Sequence, residues 1–180
     1  VDWAIGKTAG SLKVTGTLAH PLVNGTLNMP DGALKLKAVK TPVTEMKAAV
    51  RFTGDQINID TCTGKMGKGT YTLTGSTRFS GRGFFGYDFG LQADHLDVNS
   101  PFYRGPLSGE LHLNEGEIFH HLLPRLSGTI LVDEATISIP AIPDSDGNLP
   151  DCLLDLDLQL GKKVHFFSSS LYDMRLSGSA

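Results

Sequence analysis

Residues that could perform acid–base, nucleophilic or metal chemistry are scattered along this chain of 180 residues. The histidines are His20, His95, His112, His120, His121 and His165. His120 and His121 are adjacent, and on a strand their side chains would point to opposite faces. The chain contains neither an HExxH zinc motif nor a GxSxG nucleophile motif. Because catalysis needs titratable groups that converge, the sequence predicts no enzyme activity, no catalytic residue, no metal site and no cofactor.

Two segments resemble ligand-binding loops. Residues 64–70, GKMGKGT, are rich in Gly and Lys, but they lack the Walker spacing and lead into a predicted strand, so we interpret them as a turn. An acidic segment contains Asp144, Asp146, Asn148 and Asp155. The sixth position of a calcium loop there would need Gly and is Leu149. We therefore expect neither loop to bind a ligand.

The two cysteines, Cys62 and Cys152, lie 90 positions apart, and neither belongs to a CxxC pair. They could form one disulfide in an oxidising compartment. Alternatively they are two unpaired, partly buried thiols, which is the interpretation that we slightly favour.

The composition excludes some classes of protein. The 16 basic and 19 acidic residues give a formal net charge of −3, whereas nucleic-acid-binding proteins carry a basic face, so we expect no nucleic-acid partner. Hydrophobic residues make up 40% of the chain, enough for a folded core. No apolar run is long enough to predict a membrane-spanning helix. Since we find no signal peptide and the strand pattern reaches both ends, we expect residues 1–180 to be a single-domain fragment of a longer protein.

Alternation of apolar and polar residues dominates the sequence and predicts strands with one apolar face. The clearest case is residues 154–160, where four leucines alternate with Asp155, Asp157 and Gln159. We count about a dozen such strands. The turns expected between strands include residues 30–32, 54–55, 81–83 and 146–148.

One segment departs from this alternation. Between Gly116 and Leu126 the apolar residues fall at helical spacing, and Pro124 would end a helix early. We therefore expect at most one short helix, of one or two turns, in an otherwise all-β chain. Residues 140–150 contain three prolines and are predicted to form an exposed loop.

A short unit of aliphatic, polar, Gly, polar and aliphatic residues recurs along the chain. Its clear copies are centred on Gly16, Gly25, Gly109 and Gly128, with a looser copy at Gly75 and another over residues 176–180. In each copy the glycine has the parity of the apolar face. Glycine on that face indicates sharp bending of the sheet or close approach of another backbone. Ordinary bulges in a β-sandwich remain the alternative.

Residues 11–27, SLKVTGTLAHPLVNGTL, resemble the signature of the TamB family (DUF490) of AsmA-like envelope proteins. That family repeats a glycine-containing strand, a GT pair, a His-Pro or Asn-Pro turn, and then an NG-type turn and another strand. The matching residues are Gly16, Thr17, His20, Pro21, Asn24 and Gly25. Residues 68–75, 126–140 and 154–166 also resemble strands of this family. The resemblance covers about Leu12 to Ala180, is weak over 116–125, and departs from the family pattern directly after Gly75.

The resemblance implies a curled antiparallel sheet, the β-taco of the bridge-type lipid transfer superfamily, with an apolar concave interior. It implies a protein that is anchored in the inner membrane of a diderm bacterium and crosses the periplasm. It further implies phospholipid as cargo, an Omp85-type (TamA-like) outer-membrane partner, and a role in outer-membrane protein assembly with outer-membrane proteins as clients.

We accordingly expect an apolar groove that carries phospholipid acyl chains between the inner and outer membranes. Its lining residues should act collectively, with no single essential one. The residues expected to line it are Leu12, Val14, Leu27, Leu36, Val50, Phe52, Leu73, Phe89, Leu91, Leu111, Ile130, Val132, Ile137, Leu156, Leu158 and Phe166. The sequence does not distinguish such a groove from an ordinary closed core.

Two other functions fit the same pattern. An exposed edge strand could pair with a client strand by β-augmentation and so assist assembly of outer-membrane proteins or autotransporters with the Omp85-type partner. A passive spacer built of repeats is the third hypothesis.

Overall fold

The structure is a computed structural model that describes residues 1–37, 39–80, 83–101, 103–118, 121–139, 152–168 and 172–176. Its twelve strands are β1 (Trp3–Gly16), β2 (Pro21–Lys35), β3 (Val43–Gly54), β4 (Gln56–Met66), β5 (Gly69–Ser80), β6 (Gly83–Asn99), β7 (Tyr103–Ile118), β8 (His121–Val132), β9 (Thr136–Ile139), β10 (Leu153–Leu160), β11 (Val164–Ser168) and β12 (Tyr172–Leu176). All belong to one sheet, and the described residues contain no helix. The all-β fold predicted from the alternation is confirmed.

The sheet is an antiparallel meander from β1 to β7 and then branches. The first residues of β7, Tyr103 and Arg104, pair with β9, whereas residues 107–118 pair with β8. Beyond the branch, β10 lies parallel to β8 and β11 lies parallel to β9. The sheet is therefore open and mainly antiparallel, with β1 at one edge of the strand order.

Strand register places the aliphatic residues of successive strands on one face, because paired residues in neighbouring strands point to the same side. The sheet curls toward this face. Val43 of β3, Met66 of β4 and Leu96 of β6 form one buried cluster, although β5 separates β4 from β6 in the sheet. Side chains of non-adjacent strands meet only on the inner side of a bend, so the apolar face is concave.

The described glycines of the repeated unit lie on this concave face, as predicted, whereas the copy over residues 176–180 lies outside the described residues beyond Leu176. Gly75 has φ +150° and pairs with Phe89, and Gly128 has φ +136° and pairs with Leu111. A Cβ at Gly128 would overlap the carbonyl oxygen of Glu110 in the neighbouring strand. Only glycine accepts this backbone region readily, and such kinks are a known source of sheet curvature.

The prediction of a short helix between Gly116 and Leu126 is wrong. Residues up to Ile118 belong to β7, and β8 begins at His121. Register pairs Glu115 with Pro124, and β10 joins the other side of β8 only from Arg125 onward. The missing N–H of Pro124 therefore lies at an edge position, where a strand tolerates proline.

The predicted turns have mixed outcomes. Residues 54–55 join β3 to β4, as predicted. Of the turn predicted over residues 64–70, only Gly67 and Lys68 lie between strands, because β4 extends to Met66 and β5 begins at Gly69. Residues 30–32 are instead part of β2, opposite a register irregularity between Lys7 and Ala9. The Asn24-Gly25 turn implied by the family resemblance is also wrong, since both residues lie inside β2. Residues 81–82, the turn at 146–148 and the loop at 140–150 lie outside the described residues.

Candidate functional site

One row of the concave face crosses nine strands without a polar side chain. It consists of Gly10, Leu27, Val50, Ile59, Gly75, Phe89, Leu113, Leu126 and Leu154. Neighbouring strands lie about 4.8 Å apart, so the row is roughly 38 Å long. That exceeds the roughly 30 Å thickness of the hydrocarbon core of a bilayer.

A second row runs beside the first across six strands. It consists of Cys62, Leu73, Leu91, Leu111, Gly128 and Leu156. Its only heteroatom is the thiol sulfur of Cys62. The two rows together form a continuous apolar strip, and we call this strip the groove face.

The groove face is only partly covered. In the part of the chain that the structure describes, the buried hydrophobic residues are Val43, Met66, Leu96, Val132, Ala135 and Val164, and none of them belongs to the two rows. Leu154, at the end of the first row, is 69% exposed, and Leu158, further along the same face of β10, is 56% exposed. A second sheet packed about 10 Å away, as in a β-sandwich, would bury such residues. The described residues contain one sheet only, which leaves the strip accessible.

The opposite face is polar and carries ion pairs. Arg51 pairs with Asp60, and Arg125 pairs with Asp155. Lys65 Nζ lies 2.8 Å from a carboxylate oxygen of Glu45. All of these side chains are exposed, so the pairs add little stability. They keep the convex side hydrated while the concave side is apolar.

Fifteen of the sixteen predicted groove residues lie in strands, and the register places them on the concave face. The exception is Leu36, which follows the end of β2 and is exposed. Val132 is buried in a cluster with Ala135 and Val164, against which Ile130, Ile137 and Phe166 pack. These four predicted residues belong to a packed corner of the sheet rather than to the open strip.

Sequence reasoning missed an apolar cavity of about 460 Å³ on the concave face. Its lining residues are Thr77, Phe84, Tyr87, Phe89, Leu113 and Pro124. Leu113 continues the alternation of Leu111 and was open to prediction. Pro124 was expected to end a short helix, and that expectation concealed its place in the cavity wall.

Three titratable groups on the concave face are held neutral. Burial raises the pKa of the Cys62 thiol and raises the pKa of the Tyr71 hydroxyl well above its ordinary value. The two side chains touch, with 4.0 Å between Cys62 Sγ and the Tyr71 oxygen. Burial also raises the pKa of Tyr103 to about 12. None of these groups therefore brings a charge to the concave side near neutral pH.

Both cysteines are free thiols, Cys62 half-buried and Cys152 exposed. The structure therefore agrees with the unpaired alternative, although Cys152 is not buried.

Comparison of the chain with protein-family models, curated proteins and solved structures finds no match. The resemblance to the TamB family therefore stays a prediction from sequence. Within the described ranges, no helix is long and apolar enough to cross a membrane.

Proposed function

We propose that this chain is a segment of a periplasm-spanning envelope protein, and that its groove face carries phospholipid acyl chains between the inner and outer membranes. The observation that carries the proposal is the unbroken apolar row over nine strands, none of whose members is fully buried. A soluble protein rarely leaves so large an apolar surface bare unless that surface binds something.

The energetics favour a lipid as the occupant. Moving an acyl chain from the bilayer into water costs about 0.8 kcal/mol of free energy for each methylene that becomes exposed. Leucine and phenylalanine side chains on the groove face would return most of that free energy, and the headgroup would stay at the wet rim. Transfer from bilayer to groove is then close to neutral and requires no hydrolysis step. Passage along the row needs only lateral movement, because no polar side chain interrupts it.

Mass spectrometry of lipid extracted from protein purified without detergent tests this proposal. We expect phospholipid near stoichiometry in the wild type. The Leu73→Asp variant puts a carboxylate into the second row and should reduce bound lipid by more than about tenfold, because charge in an apolar medium is costly. Thr74→Asp is the matched control, since Thr74 is the next residue, exposed on the convex face. It should carry lipid like the wild type.

Thermal unfolding of both variants separates loss of lipid from loss of fold. Wild-type protein without lipid, or a folded Leu73→Asp variant with unchanged lipid content, would overturn the acyl-chain proposal. An equal loss of bound lipid in Leu73→Asp and Thr74→Asp would show that the loss does not depend on the groove face. That result would also count against the acyl-chain proposal.

The second candidate function is β-augmentation, and strand β1 favours it. Every residue of β1 is exposed, and among the described strands β1 pairs with β2 alone. A long edge strand presents unpaired N–H and C=O groups to an incoming strand. An outer-membrane protein strand, supplied with an Omp85-type partner, would fit this edge.

The edge proposal is tested by crosslinking from a photoreactive residue at Ser11 to a β-strand peptide of an outer-membrane protein. Ala9→Lys adds a charge to the edge and should weaken crosslinking, whereas Leu73→Asp should leave it unchanged. If Leu73→Asp weakened crosslinking and Ala9→Lys did not, the result would favour the groove proposal and contradict the edge proposal.

A further inference from the structure

The end of the β5–β6 hairpin is apolar on both faces of the sheet. On the concave side Phe79 pairs with Phe84, and on the convex side Arg78 pairs with Phe85. Phe84 is 71% exposed and Phe85 is 42% exposed. We call Arg78, Phe79, Phe84 and Phe85 the aromatic tip.

Exposure on both faces restricts what can cover the aromatic tip. A protein layer packed on the concave side would cover Phe84 and leave Phe85 in water, and packing on the convex side would do the reverse. A lipid interface surrounds an inserted hairpin and covers both rings at once. Aromatic side chains are enriched at membrane–water interfaces, where their rings lie at the level of the headgroups.

The charge of the tip fits the same environment. Arg78 is exposed and forms no ion pair with the residues that the structure describes. A guanidinium group binds phosphate oxygens in a bidentate manner, and each basic residue near an anionic surface contributes to attraction. Arg78 stands directly opposite Phe85, so a headgroup contact and an interfacial ring would lie side by side.

The tip also adjoins the concave apolar cavity. Phe84 is one wall of the cavity of about 460 Å³ that Phe89 and Leu113 also line. Phe89 and Leu113 belong to the nine-strand row. An apolar path thus leads from an exposed ring at the hairpin end to the groove face.

We propose that the aromatic tip docks into the interfacial layer of a phospholipid bilayer, with Phe84 and Phe85 inserted and Arg78 on a lipid phosphate. Docking does not depend on whether the groove itself carries lipid. It assigns the hairpin end as the place where this chain meets a membrane.

Sedimentation with vesicles tests the docking. We expect the full chain to bind vesicles of phosphatidylethanolamine and phosphatidylglycerol. The double variant Phe84→Ser, Phe85→Ser should bind more than about tenfold more weakly, since two rings lose their apolar contact. Arg78→Gln should weaken binding about fivefold on these vesicles and by a smaller factor on pure phosphatidylcholine, which has the phosphate group but no net negative charge.

Leu18→Ser is the matched control. Leu18 is 100% exposed and lies in the turn between β1 and β2, at the same end of the strands as the aromatic tip. Its replacement should leave vesicle binding unaltered. A Phe84→Trp, Phe85→Trp variant keeps interfacial rings and should bind at least as well as the wild type, while thermal unfolding checks the fold of every variant.

Four outcomes would overturn the proposal. They are absence of vesicle binding by the wild type, unchanged binding by the folded double-serine variant, lost binding by the folded double-tryptophan variant, and self-association through the tip in place of vesicle binding. Two variants distinguish failure of the groove proposal from failure of the docking proposal. Leu73→Asp should still bind vesicles, and the single variant Phe85→Ser, which changes only the ring on the convex face, should still carry extracted lipid.

Discussion

The Phe89 ring lies over Gly75 in the neighbouring strand, so that a Cβ built on Gly75 would be 2.5 Å from Phe89 Cδ1. The pair lies in the middle of the nine-strand row. Gly75 supplies the bend with its φ of +150°, and Phe89 fills the space that the missing side chain leaves. Curvature and apolar lining thus come from the same two residues.

Replacing Gly75 by alanine should lower the free energy of unfolding by about 2 kcal/mol or more. The Cβ would overlap the Asp88 carbonyl oxygen as well as the Phe89 ring, and the backbone conformation is strained for any L-residue. Urea unfolding followed by circular dichroism measures the change. Gly90→Ala is the control, since a Cβ there would lie 3.6 Å from its nearest neighbour, the His112 ring. An equal loss in both variants would contradict the bending role of Gly75.

Cys62 should react with iodoacetamide more slowly than Cys152, and its reaction should require a higher pH than an ordinary thiol. Burial raises the pKa of the Cys62 thiol, so at a given pH a smaller fraction is the reactive thiolate. Cys152 is exposed. The alkylation rates of Cys62→Ser and Cys152→Ser variants, followed by mass spectrometry over a range of pH, report each thiol separately.

Bound lipid should slow the alkylation of Cys62 further, because Cys62 lies in the second row of the groove face. Adding and extracting phospholipid should change the Cys62 rate and leave the Cys152 rate unaffected. A Cys62 rate that does not depend on lipid would contradict acyl-chain occupancy of this part of the groove.

The strand faces could be predicted from sequence because alternation is a local property. Leu111 and Leu113 lie on the same face whatever strand pairs with them. The branch at β7 could not be predicted, since pairing of Tyr103 with Ile137 of β9 depends on tertiary contacts. Local periodicity failed between Gly116 and Leu126, because this segment is divided between β7 and β8 and the spacing of its apolar residues does not report one element.

The candidate site was less predictable than the faces. The continuous row depends on register, and bulges such as the one between Ile59 and Cys62 change which residues align. Leu36 illustrates the limit, because it has the right type and lies beyond the strand end. The aromatic tip was missed because the residue type of a phenylalanine does not show whether its side chain is exposed.

Truncation should distinguish packed from open parts of the concave face. Val164 is 1% exposed and packs with Val132 and Ala135, so Val164→Ala should lower the free energy of unfolding by about 2 kcal/mol through lost contacts and a cavity. Leu158→Ala should cost less than about 0.5 kcal/mol in lipid-free protein, because an exposed side chain has few contacts to lose.

The order of the two variants should reverse when the measured quantity is bound lipid rather than the free energy of unfolding. Leu158→Ala removes apolar surface that an acyl chain would contact, so extracted lipid should fall, whereas Val164→Ala should keep its lipid as long as it is folded. A closed core would behave differently: every concave-face truncation would lower stability and none would change lipid content. Urea unfolding and lipid mass spectrometry on the same preparations therefore decide whether the concave apolar face is a core or a groove.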